Sequence, residues 1–292
     1  MTVWNGSEYV DIESGVGTFT TTAQGETTQP GWLELPVMTS GSNLINGSFG
    51  SGKTRNYSYH FDTSVYTALW TAYPLTSAHT SGSASTTTWN YNPDIPEESQ
   101  INVKSSSYPT NYGNSNYNRG HLLPAADRKS DGTMRAQVYY LSNQTPQLES
   151  FNSPLWSNLE TTVRNLTSST DTVYVVTGAA FRKVGGNETI TYLTAAKSGI
   201  LPTKVPVPNY FWKVLLKVKR SGTTVTSASA IGIWMPHQEY SSSTEWKSYT
   251  VSVDQIEEWT GFDLFTNLPG TESSGIEMSA ETNENWSSFQ NF

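Results

Sequence analysis

An arginine and a histidine flank a single glycine at Arg119-Gly120-His121, in a region rich in Asn, Ser and Tyr. A neutral imidazole can remove a proton near pH 7, and a guanidinium group can hold phosphate oxygens in a planar fork. Glycine between them permits a close approach or backbone angles that other residues resist. These residue types could transfer a proton at a phosphate. Taken alone, however, Arg-Gly-His is more typical of a turn with an exposed Arg and a buried His, because clustered groups rather than single ones mark sites.

The elements that must position these side chains are mainly strands. Hydrophobic residues make up 35% of the 292 residues and charged residues only 14%, whereas Ser, Thr, Asn, Gly and Tyr are abundant. This composition is typical of a strand-rich, loop-rich protein, and strands mixed with few helices predict an α+β fold. The polar segment 77–116 predicts a long surface loop that serves a site or is mobile.

Helical spacing is clearest after Pro154, where Leu155, Leu159 and Val163 recur on one face. Asn152 or Ser153 suits the N-cap, and the helix is expected to run to about Asn165. Glu160 and Arg164 stand four residues apart on this helix, and spacing alone favours a surface ion pair for them. Further predicted elements are a helix near Asp131–Tyr140 capped by Asp131, a helix over Asp254–Trp259 closed by Gly261, strands at Ser7–Ile12, Trp32–Val37, Thr67–Leu75, Thr172–Gly178, Tyr210–Val218 and Ala228–Met235, and a loosely packed tail after Gly270.

Charge and composition exclude several classes of protein. The net charge of −8 argues against a broad nucleic-acid footprint, but it leaves room for a local basic cleft. Cysteine is absent, so disulfides and thiolate metal sites are excluded. No apolar run approaches the ~20 residues that a membrane helix needs, which predicts no membrane span.

The segment Gly47–Thr54 matches the phosphate-loop pattern G-x-x-x-x-G-K-[ST]. That loop requires a buried strand before it and a helix after it. Here a Ser/Gly-rich loop precedes it, and the alternation of Tyr57, Tyr59 and Phe61 with polar residues predicts a strand after it. The sequence context therefore argues against a nucleotide triphosphatase.

Several motifs taken together resemble the DNA/RNA non-specific endonuclease family, whose catalytic core is the ββα-metal fold and which includes mitochondrial endonuclease G. The resemblance runs from about Trp32 to about Pro269 and is specific as a combination. Its motifs are Asn118-Arg119-Gly120-His121 with Ala125, Asn143-Gln144-Thr145-Pro146-Gln147, Asn152 to Trp156 with Leu159-Glu160 and Arg164, and the upstream Lys53-Thr54-Arg55-Asn56-Tyr57.

The resemblance implies a role for each matching residue. His121 is expected to be the general base that activates water, and Asn152 the one direct protein ligand of a divalent ion. That ion is expected to be Mg²⁺, with Mn²⁺ or another divalent ion able to substitute. Glu160 is expected to hold the ion through water, and Asn143 to support the site. Arg55, Arg119 and Arg164 are expected to contact the phosphate. The implied substrates are DNA and RNA, and the implied fold has a largely antiparallel sheet, a ββα-metal motif and long surface loops.

Asn118 departs from the family pattern, which usually has Asp there. Asn keeps the shape and one acceptor but loses the charge, so a homologue that binds nucleic acid with weakened turnover stays open. The 10 Trp and 16 Tyr also leave open a carbohydrate-binding surface protein, although core packing explains most of them.

The predicted organisation is an N-terminal strand or linker segment over residues 1–30 and a nuclease domain over residues 31–292. Low charge with many Thr, Ser and Asn residues predicts a secreted, periplasmic or cell-surface bacterial protein, and no signal peptide is visible in this chain. No obligate protein partner is evident from the sequence, and a homodimer is left open.

Overall fold

The structure is a computed structural model, and it describes residues 2–4, 9–11, 31–50, 55–113, 116–168, 170–271 and 274–292. The strands are β1 (Thr2–Trp4), β2 (Tyr9–Asp11), β3 (Leu44–Phe49), β4 (Tyr57–Asp62), β5 (Thr67–Leu75), β6 (Tyr117–His121), β7 (Gln144–Leu148), β8 (Val173–Ala180), β9 (Thr191–Thr194), β10 (Lys204–Val207), β11 (Tyr210–Ser221), β12 (Thr224–Pro236), β13 (Thr250–Val251), β14 (Gly270–Thr271) and β15 (Ser274–Gly275). The α-helices are α1 (Ser77–Thr80), α2 (Tyr108–Tyr112), α3 (Gly132–Val138), α4 (Ser157–Leu166), α5 (Val253–Thr260), α6 (Ile276–Glu281) and α7 (Trp286–Asn291).

A seven-stranded sheet in the order β13-β12-β11-β8-β5-β4-β3 forms the centre of the protein. Every neighbouring pair in it is antiparallel. With helices packed on it, this sheet confirms the predicted α+β fold.

Both faces of the sheet are buried. On β11, Phe211 and Leu215 belong to one core cluster, whereas Trp212 and Leu216 belong to the other. This follows from the alternation of side chains along a strand. Helix α4 packs in the first cluster and helix α5 in the second, so the sheet separates the two helices.

Strands β6 and β7 form a separate antiparallel pair. An irregular helical turn, Phe151–Trp156, follows β7 and leads into α4. The order strand, strand, helix is the predicted ββα motif. Ser153 has the extended angles of a helix N-cap (φ −140°, ψ 128°) directly before Pro154, as predicted. Among the described residues, however, no side-chain hydrogen bond caps the turn or α4.

The tail after Gly270 is not loosely packed, contrary to prediction. Ala280 of α6 is buried against the second face of the sheet, and Trp286 and Phe289 of α7 against the first. The Lys217 ammonium donates to the Phe289 and Gln290 carbonyls at 3.0 and 3.1 Å, which satisfies the end of α7. Apolar residues spaced for burial override the polar composition of this segment.

The segment Trp32–Val37 also differs from its prediction, because it is irregular rather than a strand. Leu33 and Leu35 are nevertheless buried in the second cluster. The predicted caps of α3 and α5 are present: Asp131 accepts the Met134 amide at 2.8 Å, and Gly261 ends α5 at φ 73°.

The phosphate-loop-like segment begins inside β3, whose residues Gly47–Phe49 pair with β4, and its residues 51–54 are outside the described ranges. In the N-terminal segment, β1 pairs with β2, while Ser7, Glu8 and Ile12 of the predicted strand lie outside those ranges. No helix within the described residues is long and apolar enough to cross a membrane.

Candidate active site

The β6–β7 pair places Arg119 and His121 on the same face, because they are two residues apart on one strand. Gly120 points the other way, against Gln147 of β7. A Cβ atom on Gly120 would lie 2.4 Å from the Gln147 Cβ, which no real Cβ tolerates. The glycine in Arg-Gly-His is therefore required for close strand pairing rather than for unusual backbone angles.

The ring of His121 packs against two aromatic side chains. Its ring lies 4.7 Å from the Trp89 ring and 5.0 Å from the Tyr139 ring, edge-on to the latter. Its Nε2 atom is buried and has no hydrogen-bond partner among the described residues. Burial, followed by the charges of Arg135 and Arg119, lowers the pKa of His121 to about 3. The imidazole is therefore neutral at pH 7, with one nitrogen available to accept or donate a proton.

Arg119 is fixed beside this histidine. Its guanidinium lies 4.9 Å from the centre of the Trp89 ring, and Nη1 donates to the Val103 carbonyl at 2.9 Å. Val103 and Trp89 both belong to the long segment 77–116, and both lie in a third core cluster that this segment shares with β9 and β10. The described part of this segment therefore contacts Arg119. This agrees with the first of the two predicted alternatives, a loop that serves a site.

A cavity of about 350 Å³ brings the chemistry together. Four of the predicted site residues line it: Arg119 and His121 from β6, Asn152 from the irregular turn and Glu160 from α4. The residues are far apart in the sequence, and the ββα motif brings them together because β6, the irregular turn and α4 are adjacent in it. An imidazole, an amide and a carboxylate thus face one space.

Glu160 has an unusual electrostatic environment. Burial, helped by the Asp127 carboxylate and opposed by Lys213 and Arg164, raises the pKa of Glu160 to about 7. Lys213 is itself buried, and burial lowers the pKa of its ammonium to about 8. It donates to the Thr177 hydroxyl and lies 5.3 Å from the centre of the Trp156 ring. A cation would favour the ionised form of Glu160.

Asn143 does not line the cavity. It is fully buried and accepts the Leu123 amide at 2.9 Å, while its amide group donates to the Leu123 and Val138 carbonyls at 3.0 and 2.9 Å. These bonds tie the chain that follows His121 to the chain that precedes β7. A supporting role of Asn143 in the site stays a prediction.

Arg55 and Arg164 also lie outside the cavity lining. Arg55 forms an ion pair with the buried Glu34, with Nε 2.6 Å from Oε1. Arg164 forms one with Asp127, with Nη1 3.0 Å from Oδ1. Spacing alone predicted a surface ion pair between Glu160 and Arg164. This prediction is wrong, because Arg164 pairs with Asp127 instead. Phosphate contact by these two arginines stays a prediction.

A larger cavity of about 600 Å³ is lined by residues 90–97 and Lys104. Its ionisable groups are Tyr91, Asp94, Glu97 and Lys104, with no histidine among them. Lys104 lies 5.3 Å from the centre of the Tyr91 ring. We take the smaller cavity as the candidate active site, because of these two cavities it is the one lined by an imidazole together with an amide and a carboxylate.

Sequence reasoning missed three residues that shape the site: Trp89, Tyr139 and Lys213. No local motif identifies them, since each reaches the site through tertiary packing. The other three histidines have partners within the fold: His60 bonds Asn46, His79 accepts the Thr76 amide in the N-terminal capping box of α1, and His237 accepts the Leu148 amide.

Comparison with known proteins agrees with this geometry. Residues 40–271 match the family model described as DNA/RNA non-specific endonuclease. A nuclease of Nostoc sp. is 28% identical over 231 residues, covering 77% of this chain and 76% of the relative. A mitochondrial nuclease of Schizosaccharomyces pombe is 30% identical over 162 residues, covering 54% of this chain and 49% of the relative, so the chain spans about half the length of that protein.

Among solved structures, a chain of the EndoG/EndoGI complex has a TM-score of 0.59 at 22% identity, covering 78% of this chain and 89% of that chain. At this identity, the likeness shows a shared fold.

The prediction of a secreted, periplasmic or cell-surface protein is wrong by these comparisons. The S. pombe relative and others from zebrafish, budding yeast and human are named as mitochondrial, beside the bacterial Nostoc relative. The prediction failed because a polar, loop-rich composition reflects the fold rather than the compartment.

The family match covers most of the chain, and the members of this family are metal-dependent nucleases. The chain belongs to the DNA/RNA non-specific endonuclease family.

Proposed function

We propose that this chain hydrolyses phosphodiester bonds within DNA and RNA, with little sequence or sugar specificity. The observation that supports it most is the single cavity lined by Arg119, His121, Asn152 and Glu160. Neither a binding-only homologue nor a carbohydrate-binding protein is favoured by the family match, which is to nucleases.

In this proposal, His121 removes a proton from the attacking water through Nε2, which has no other partner among the described residues. A pKa of about 3 in the substrate-free site makes the imidazole a weak base. Burial is the main cause of this low pKa. An anionic phosphodiester at Arg119 offsets the smaller contribution of the arginine charges, so substrate binding raises the pKa of His121. General-base catalysis of this kind contributes ~10²–10⁴-fold.

Arg119 binds the phosphate in this scheme. Its contacts with Trp89 and the Val103 carbonyl fix the guanidinium, so that little freedom is lost when an anion binds. Contacts directed at phosphate oxygens carry no base or sugar information, which explains low specificity.

The oxygens of Asn152 and Glu160 suit a hard divalent cation, for which we propose Mg²⁺, with Mn²⁺ or another divalent ion able to substitute. We assign direct ligation to Asn152 and a contact through water to Glu160. When bound, such an ion polarises the phosphoryl oxygen and stabilises the leaving 3′-oxygen. Lys213 and Arg164 supply the positive charge that counteracts the raised pKa of Glu160.

Digestion of plasmid DNA and of an unrelated RNA, with Mg²⁺ and with chelator, tests the proposal. We expect cleavage of both with Mg²⁺ and none with chelator. His121→Ala should lower kcat at least ~10²-fold while duplex binding survives, and His79→Ala, a histidine outside the cavity, should match the wild type. Binding without cleavage under every divalent ion would establish the binding-only alternative. A homodimer stays a prediction, which light scattering tests.

A further inference from the structure

A second group of oxygen ligands lies on the opposite face of the sheet from α4. Helices α5 and α6 both pack against β12 there. Asp254 and Glu257 are three residues apart on α5, and Glu277 and Glu281 are four apart on α6. Each pair shares a helix face, so the packing of the two helices gathers acidic side chains.

Three of these carboxylates are close enough to share one ion. One oxygen from each of Asp254, Glu257 and Glu281 lies within 4.8 Å of the other two. Oxygens on opposite sides of a bound Ca²⁺ are about 4.6–5.2 Å apart, and those around Mg²⁺ about 4.0–4.2 Å apart. Three oxygens within 4.8 Å of one another fit around the larger ion.

Glu281 supplies an independent indication of a ligand. It is only 1% exposed, and its Oε1 has no hydrogen-bond partner among the described residues. An unpartnered carboxylate oxygen at this depth carries a large desolvation cost.

The remaining geometry suits ion entry. Glu257 is half-buried, and its Oε1 accepts the Leu264 amide at 2.6 Å, which fixes its orientation. Asp254 is exposed, so the group opens to solvent on one side. Water can complete the six to eight oxygens that Ca²⁺ takes, whereas Mg²⁺ is usually held by only one or two carboxylates.

We propose that Asp254, Glu257 and Glu281 form a Ca²⁺ site that fastens α6 and the C-terminal segment to α5. The site is separate from the catalytic cavity, because the two lie on opposite faces of the central sheet. It is structural: binding to the folded chain stabilises it by mass action.

Calcium titration of chelator-treated protein tests this site, followed by calorimetry and by the melting temperature. To remove the catalytic ion site, the measurement is made in an Asn152→Ala background. We expect one Ca²⁺ per chain, a rise in melting temperature of about 5–10 °C at a Ca²⁺ concentration near 100 times Kd, and at least ~10-fold weaker binding of Mg²⁺.

Glu281→Gln keeps the shape of the side chain without its charge, and in this background it should abolish both the binding and the thermal shift. Asp254→Asn changes an exposed residue and should weaken binding at least ~10-fold without loss of fold. Unaltered Ca²⁺ affinity in both variants, or no Ca²⁺ bound by the Asn152→Ala protein, would overturn the site. Equal affinity for Mg²⁺ would overturn its assignment to calcium.

Discussion

Gly120→Ala is the most informative single substitution, because it acts on the strand that carries both Arg119 and His121. The added methyl group would lie 2.4 Å from the Gln147 Cβ, where ordinary contacts begin at 3.4 Å. Strands β6 and β7 must therefore separate by about 1 Å. Overpacking of this kind costs ~1–3 kcal/mol, which corresponds to a fall in melting temperature of about 3–10 °C for a chain of this size. A displacement near 1 Å lowers a catalytic rate ~10²-fold.

Differential scanning fluorimetry and a fluorogenic nuclease assay measure the two effects. Gly132→Ala is the matched control: Gly132 begins α3 and has no atom within 4 Å of an added Cβ. We expect it to leave kcat/KM unchanged and stability the same or up to ~1 kcal/mol higher. If Gly120→Ala melted and cleaved like the wild type, the tight pairing at Gln147 and its role in aligning the site would both be refuted.

Three further substitutions test the buried network. Lys213→Met should lower the melting temperature, because it removes the charge that most strongly opposes the raised pKa of Glu160; adding Glu160→Gln should recover part of the loss, and strictly additive melting data would contradict the coupling. Asn143→Ala removes three buried hydrogen bonds and should cost about 2–4 kcal/mol in urea unfolding, whereas a loss below 1 kcal/mol would show that these bonds contribute little. Burial lowers the pKa of His60 to about 4, so the unfolded chain binds more protons between pH ~4 and ~6.5, and stability falls as the pH falls through this window. His60→Gln should remove up to ~1.4 kcal/mol per pH unit from that slope, and equal slopes in the two proteins would exclude the effect.

Local chemistry made part of the fold predictable. The caps of α3 and α5, the strand alternation after residue 56 and the apolar face of α4 depend on neighbouring residues, and they appear where the sequence indicates. The tail after Gly270 was mispredicted, because its few apolar residues acquire partners only when the sheet is assembled. The segment Trp32–Val37 was wrongly predicted as a strand for the same reason. Its position depends on residues distant in the sequence, such as Asp263, whose carbonyl accepts the Val37 amide.

The candidate site divides in a similar way. Arg119, His121, Asn152 and Glu160 sit in recognisable motifs, and they meet in one cavity. The residues that set the electrostatics of the site are not part of any motif. In the sequence, Lys213 is an ordinary lysine of a predicted strand, and only the assembled sheet shows that it is buried. Spacing alone paired Arg164 with Glu160, and only the tertiary structure shows that Asp127 binds it instead.

The coordination of the metal ion tests the central claim most directly. Crystals soaked with Mn²⁺ and measured at its absorption edge should show an anomalous peak in the cavity, about 2.1 Å from the Asn152 side-chain oxygen. Glu160 should then reach the ion through an ordered water, and Nε2 of His121 should face the space where the attacking water binds. An empty cavity, or an ion held there without Asn152, would contradict the account.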